Sequence, residues 1–189
     1  VCNDFDSPDR FYLNDGAGHF SLISDVAVRS TSNSSMAVDF SDLERDGDFD
    51  YFIADMLSTR HDRRKTQMGI MIPTPMTIGA ITNRPQYMRN TLFLNRGDNT
   101  YAEIAQYGGV QASEWSWSPL FLDVDLDGYE DILVVTGHYY DAMDADVQSD
   151  LKTMNYSRYN QLQSEVFAYN RLATRDFIFR NRGDLTFEE

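Results

Sequence analysis

The sequence predicts an all-β fold made of repeated strand units, because two motifs recur with one period. The first motif is an apolar run followed by an asparagine, a turn that contains glycine, and an aromatic residue. Its asparagines are Asn14, Asn95 and Asn181; Asn95 follows Asn14 by 81 residues, and Asn181 follows Asn95 by 86. Turns of this composition between apolar runs are typical of β-hairpins.

The second motif is an acidic loop that occurs at 42–50 and again, 81 residues later, at 123–131. Each loop begins 28 residues after a hairpin asparagine. Short runs of β-branched and aromatic residues flank both loops, as expected of strands. Two unrelated features that share one period and one offset indicate a structural repeat. Regular four-stranded repeats point to a β-propeller.

We expect residues 1–189 to form part of one β-propeller domain, with about two blades and part of another. The repeat units are predicted at about 10–90 and 91–175, and a third begins at about 176, so the chain is expected to be a fragment of a larger propeller. These units are longer than a blade of about 40–50 residues. The excess lies in two inserts, at about 57–89 and 139–175.

The two inserts differ in composition. The first carries a basic cluster at 60–65, which could bind an acidic partner or pair with the acidic surface of the protein itself. The second contains a stretch at 144–170 with few glycines or prolines, which could hold a helix with Asp141 or Asp144 as its N-cap.

The charge of the chain restricts its partners. The net charge is -14, from 30 acidic and 16 basic residues. An acidic surface repels nucleic acid and anionic lipid and favours cations. The chain has no apolar run of about 18 residues, so no membrane insertion is expected in this segment. Its one cysteine, Cys2, cannot form an internal disulfide, and whether it pairs elsewhere stays open.

The acidic loops are predicted metal sites. Oxygen donors fall at positions 1, 3, 5 and 9 of each loop, position 7 would supply a backbone carbonyl, and Gly47 and Gly128 at position 6 permit a sharp turn. Calcium binds six to eight oxygens at about 2.3–2.6 Å. An EF-hand would need a glutamate at position 12, where the chain has Ile53 and Val134. The loops are therefore not EF-hand loops.

Calcium is a better candidate than magnesium or zinc. Magnesium prefers few carboxylates and several waters, and zinc prefers the histidine and cysteine that both loops lack. Glu44 stands at position 3 of the first loop, where the second has the shorter Asp125, so the two sites differ in the length of this ligand. Two calcium ions are expected.

The loops and the Asn-x-Gly hairpins resemble those of the FG-GAP/VCBS repeat proteins, the integrin-α-like β-propellers. The resemblance is greatest to the bacterial UnbV-associated group, which is similar to cartilage acidic protein. It covers most of the chain except the inserts, and it implies calcium in the blade loops and a secreted location: extracellular, at the cell surface, or periplasmic. The implied metal ligands are Asp42, Glu44, Asp46, Asp48, Asp50, Asp123, Asp125, Asp127, Tyr129 and Asp131.

Three functional hypotheses follow. The first is a calcium-binding module for binding, adhesion or scaffolding, with an unknown protein or glycan partner and no catalytic residues. The second is a calcium-stabilised propeller enzyme, a lyase or hydrolase acting on polysaccharide, and its candidate residues are Arg60, His138, Tyr139 and Tyr140. The third is a self-assembling subunit of a surface layer or filament.

Two further motifs have simpler explanations. The Arg-Gly-Asp tripeptides at 96–98 and 182–184 fall on hairpin turns, which need glycine and tolerate aspartate. Trp115 and Trp117 should lie on one face of a strand, where core packing is expected to prevail over the stacking of a sugar ring.

Overall fold

The computed structural model describes residues 1–4, 7–67, 84–153 and 168–189. Most of its regular structure is β-strand, and the helices are short, so the predicted all-β class is confirmed. The strands, in chain order, are β1 (Tyr12–Asn14), β2 (Phe20–Leu22), β3 (Thr31–Ser32), β4 (Ala37–Ser41), β5 (Asp50–Ala54), β6 (Gln86–Tyr87), β7 (Thr91–Asn95), β8 (Tyr101–Glu103), β9 (Ser116–Leu122), β10 (Asp131–Thr136), β11 (Phe177–Asn181) and β12 (Phe187–Glu188). The helices are α1 (His61–Gln67), α2 (Ala105–Gly108) and α3 (Ala145–Thr153).

Two four-stranded antiparallel sheets contain most of these strands. The first has the order β4-β5-β7-β8 and the second the order β9-β10-β11-β12. Each sheet therefore combines two strands from one predicted repeat unit with two strands from the next. A separate parallel pair joins β3 and β6.

The hairpin β1–β2 is equivalent to the last two strands of each sheet. Its asparagine pairs with an aromatic residue, Asn14 with Phe20. The same register recurs in β7–β8, where Asn95 pairs with Tyr101, and in β11–β12, where Asn181 pairs with Phe187. The repeated hairpin seen in the sequence is thus one structural element used three times.

Apolar side chains fill the space between the sheets. One core cluster joins them, and its members include Phe52, Leu92, Ile132, Val134 and Phe179. A second cluster packs Phe11, which precedes β1, and the segment after β2 against the other face of the first sheet. Strand β5 is buried along its whole length because it is covered on both faces, which explains why its sequence lacks polar alternation.

The helix predicted in the second insert is confirmed over α3. Oδ1 of Asp144 accepts hydrogen bonds from the backbone N–H groups of Asp146 at 3.0 Å and Val147 at 3.2 Å, so Asp144 is the N-cap. The later part of the prediction, at 154–167, lies outside the described residues. Asp141 has a different role, described next.

The basic cluster of the first insert is largely paired within the protein. Arg63, on α1, forms a two-pronged ion pair with Asp141 at 2.9 and 3.0 Å and also pairs with Glu114. All three side chains are nearly buried. Arg60 pairs with Asp62. The cluster therefore fastens the first insert to the second, in preference to forming a free cationic surface.

Candidate metal sites

The two acidic loops have the same backbone conformation. Position 4 is left-handed in both, with φ of 60° at Arg45 and at Leu126. Position 6 is also left-handed, with φ of 93° at Gly47 and 90° at Gly128. Glycine adopts this region without steric cost, which explains why position 6 is glycine in both loops.

The first aspartate of each loop organises the turn in the same way. Its two carboxylate oxygens accept hydrogen bonds from the backbone N–H groups of positions 5 and 6. For Asp42 the donors are Asp46 and Gly47, both at 3.0 Å. For Asp123 they are Asp127 at 3.1 Å and Gly128 at 2.8 Å. These hydrogen bonds hold the loops in shape without the help of a metal ion.

The last aspartate of each loop is buried and connects two strands. Asp50 accepts N–H bonds from Leu43 at 2.9 Å and from Asn95 at 2.8 Å, and it is 1% exposed. Asp131, also 1% exposed, accepts N–H bonds from Val124 at 3.0 Å and from Asn181 at 2.8 Å. Each loop is therefore fixed to the third strand of its own sheet.

The hairpin asparagines complete this connection, a role that the sequence analysis missed. The Asn181 side-chain amide donates to the Glu130 carbonyl at 3.1 Å, and its Oδ1 accepts the Gly183 N–H at 2.9 Å. Asn95 makes the equivalent contacts. Its side-chain amide donates to the Phe49 carbonyl at 3.5 Å, and its Oδ1 accepts the Gly97 N–H at 3.1 Å. The sequence showed both motifs, but it paired each asparagine with the loop that follows it and not with the one that precedes it.

Only the second loop brings three carboxylates close together. One oxygen each from Asp123, Asp125 and Asp131 lies within 4.8 Å of the others. Within the described ranges, no other group of three or more His, Cys, Asp or Glu side chains meets this distance. The predicted ligands Asp127 and Tyr129 belong to the same loop and lie outside this triad. Those of the first loop do not converge in this way; they are Asp42, Glu44, Asp46, Asp48 and Asp50.

The donor chemistry of the second loop fits a hard cation. All of its donors are oxygens, with no nitrogen or sulfur from histidine or cysteine, and such sets suit calcium, magnesium or manganese and not zinc or copper. The repulsion among three carboxylates at this distance is relieved when a cation lies between them.

Different surroundings act on the carboxylates of the two loops. Burial raises the pKa of Asp50 to about 6; the N–H groups of Asn95 and Leu43 oppose this shift, and the neighbouring acids Glu44 and Asp46 add to it. In the second loop, the hydrogen bond from Arg180 lowers the pKa of the exposed Asp125. Arg180 also had no place in the sequence prediction.

The two loops lie side by side at the same end of neighbouring sheets. The Arg45 guanidinium of the first loop lies 4.2 Å from the centre of the Tyr129 ring in the second. Close by, the Ser41 hydroxyl donates to the Glu130 carboxylate at 2.5 Å. Between the sheets, the Phe121 N–H donates to Asp39 at 2.8 Å. Both Arg-Gly-Asp tripeptides turn at this end, in the β7–β8 and β11–β12 hairpins.

The residues named for catalysis do not all line one cleft. The His138 ring stacks on Trp115 at 4.1 Å, and its Nδ1 contacts the Tyr140 carbonyl oxygen at 2.5 Å. The Tyr139 hydroxyl accepts a hydrogen bond from Arg171. Arg60 lines a polar cleft of about 760 Å³ between the inserts, whose lining includes neither His138 nor the two tyrosines.

The two tryptophans have unequal exposure. Their rings stack with centres 6.4 Å apart. Trp117 is 45% exposed, and its indole N–H donates to the Gly137 carbonyl at 2.6 Å. Trp115 packs against a cluster of buried methionines. Core packing therefore accounts for Trp115 and leaves Trp117 on the surface.

Comparison with known families agrees with the loop and hairpin geometry. A family model described as "FG-GAP-like repeat" matches residues 79–134, which include β7, β8, β9, the second loop and most of β10. Residues 79–134 contain an FG-GAP-like repeat. The FG-GAP match points to a β-propeller, as the repeat pattern predicted. It does not support the narrower UnbV-associated or cartilage-acidic-protein-like group.

The other comparisons give no relative of the FG-GAP segment. No curated protein and no solved structure matches the chain. Among the helices in the described ranges, none has the length and apolar character needed to cross a membrane.

Proposed function

We propose that this protein is a calcium-binding β-propeller module that acts as a binding, adhesion or structural scaffold. One observation carries the proposal: Asp123, Asp125 and Asp131 converge to within 4.8 Å inside an FG-GAP-like repeat. FG-GAP repeats often bind calcium. The convergence supports the second loop as the place where this chain would bind calcium.

The structure of the second loop supports calcium over smaller cations. Asp123 and Asp131 have their oxygens fixed by backbone N–H groups, so the carboxylates are aimed before binding. Asp127 and the Tyr129 carbonyl would add further oxygens from the same loop. A set rich in carboxylates suits calcium, whereas magnesium keeps several waters and few carboxylates. We extend the proposal to the first loop because its backbone is the same.

Bound calcium would stabilise the fold and would not take part in a reaction. The loop joins β9 to β10, and Asp131 holds the Asn181 N–H of β11, so a bound ion would fix one end of three strands. Ligands that come together only in the folded state convert binding energy into folding energy. The cleft that Arg60 lines does not include His138 or Tyr139, and this separation favours the scaffold role over catalysis.

The proposal includes a location and a partner class. Extracellular calcium modules bind with dissociation constants of about 10⁻⁴ to 10⁻³ M, which exposed loops of this type suit. We therefore place the protein outside the cell, at the cell surface or in the periplasm, with an unidentified protein or glycan as its partner. The metal loops lie at one end of the sheets, and β5 and β10 run from there towards the inserts at the opposite end.

Calorimetric titration of the decalcified protein with calcium tests this proposal. The protein should show two binding steps, and Asp46→Ala and Asp127→Ala should each remove one. Asp150→Ala on α3 is the matched control, since it removes the same charge away from both loops. Chelation should lower the melting temperature of the unmodified protein. Absence of binding at millimolar calcium would refute the proposal.

A further inference from the structure

Strand β11 places an arginine against the second loop. Arg180 Nε lies 2.5 Å from Asp125 Oδ2, and a terminal nitrogen lies 3.4 Å from Asp127 Oδ2. The same guanidinium is 3.9 Å from Glu188 of β12. Asp125 and Asp127 occupy positions 3 and 5 of the loop, which are predicted calcium ligands. Arg180 is therefore paired with one carboxylate oxygen of each of these two predicted ligands.

The first sheet has no such arginine. Position 94 is the equivalent of 180, since each residue immediately precedes a hairpin asparagine in the third strand of its sheet. Leu94 occupies it and is 9% exposed. The two loops thus share a backbone but differ in whether a cation from the neighbouring strand reaches their carboxylates.

We propose that Arg180 is a built-in competitor of calcium at the second loop. The inference rests on the proposed function. In the metal-free protein, Arg180 neutralises Asp125 and Asp127 and keeps the loop compact. When calcium enters, the guanidinium has to leave these oxygens, and it remains a like charge near the ion. Both effects weaken binding, so Arg180 sets the calcium concentration at which the second loop fills.

The test isolates the second loop. In an Asp46→Ala background, which disables the first loop, calcium affinity is measured by calorimetry with Arg180→Leu and Arg180→Gln. Leucine is the residue that the first sheet has at this position, and glutamine keeps hydrogen-bonding capacity without charge. Removal of one positive charge within a few ångströms of a divalent ion should tighten binding about tenfold. Arg180→Lys, which keeps the charge, should stay near the parent affinity.

Arg182→Leu is the matched control. Arg182 lies two residues further along the chain, has similar exposure and pairs with the same Glu188, yet it does not contact the loop. Its removal should leave the affinity of the second loop within about twofold of the parent. Circular dichroism in chelator verifies that each variant is folded before titration.

The outcomes separate the inference from the function on which it rests. Tighter binding in Arg180→Leu and Arg180→Gln, but not in Arg182→Leu, supports the inference. Equal or weaker binding in both Arg180 variants, with a parent that still binds calcium, overturns it and leaves the calcium function intact. A parent that binds no calcium overturns both.

Discussion

The two acidic loops share one backbone but do not offer a metal the same site. Left-handed residues at positions 4 and 6, and the hydrogen bonds of the first and last aspartates, are common to both. Yet only the second loop brings three carboxylates within 4.8 Å of one another. The comparison teaches that the backbone of this loop is fixed by a few hydrogen bonds, whereas the donor geometry depends on the variable positions and on neighbouring strands.

The largest effect should come from a feature that the loops share. Asp50→Ala and Asp131→Ala each leave two backbone N–H groups without their acceptor, one in the loop and one in the third strand. Buried donors left without a partner cost about 1–3 kcal/mol each. Each substitution should therefore lower the free energy of unfolding by about 3 kcal/mol or more, measured by urea titration in chelator.

The exposed residues at position 5 provide the control for this experiment. Asp46→Ala and Asp127→Ala remove the same charge but each releases one backbone N–H, that of Asp48 or of Tyr129. Asp127→Ala also removes the exposed 3.4 Å contact with Arg180. Each of these substitutions should lower the free energy of unfolding by less than about 1 kcal/mol in chelator. Equal losses of unfolding free energy at positions 5 and 9 would contradict the prediction that the buried aspartates stabilise the fold more than the exposed ones.

The sequence predicted the loops and hairpins but not how they meet. Glycines, aspartates and asparagines mark local turns, and local turns are readable because neighbouring residues determine them. The bond from Asn181 to Asp131 spans 50 residues, and the contact of Arg180 with Asp125 spans 55. Such pairings depend on which strands become neighbours, and the inserts of variable length between strands conceal that order.

The basic cluster at 60–65 likewise has partners that are distant in the sequence. Its charge was visible in the sequence, but its partners were not, because Arg63 pairs with residues 51 and 78 positions away. Glu114, one of these partners, adopts a left-handed conformation with φ of 63°. A strained glutamate that also accepts hydrogen bonds from Ser58 and Thr59 is a feature that only the fold reveals.

A second prediction concerns proton binding at the first loop. The folded-state pKa of Asp50 is about 6, above its ordinary value of 3.8. The folded protein therefore binds this proton more tightly than the unfolded chain, so the contribution of Asp50 to stability falls as pH rises from about 4 to about 6. This fall should reach about 2–3 kcal/mol in chelator.

Urea titrations of the unmodified protein and of Asp50→Asn, at a series of pH values in chelator, measure this contribution. The stability of the variant relative to the unmodified protein should rise across the interval from pH 4 to pH 6. Asp131→Asn, measured in parallel, shows whether the dependence belongs to the first loop. A constant difference between Asp50→Asn and the unmodified protein would contradict the prediction.

A third prediction exchanges the residues at position 3. Glu44→Asp gives the first loop the shorter side chain found at Asp125 and should bring a carboxylate oxygen closer to its partners. We expect calcium binding at the first loop to become several-fold tighter, a gain of about 1 kcal/mol. The reciprocal Asp125→Glu should weaken the second loop. Calorimetry on both variants checks the pair, and two changes of the same sign would show that side-chain length is not the cause.

The smallest expected effect lies between the loops. Arg45 of the first loop stacks on Tyr129 of the second, and exposed contacts of this kind contribute about 0.5–1 kcal/mol. Arg45→Gln should therefore lower the free energy of unfolding by this amount. A double-mutant cycle with Tyr129→Leu isolates the pair, since the combined loss should be smaller than the sum of the single losses by about the same amount. If the losses add, the two loops are neighbours in space but energetically independent, and calcium at one would leave the other unaffected by this contact.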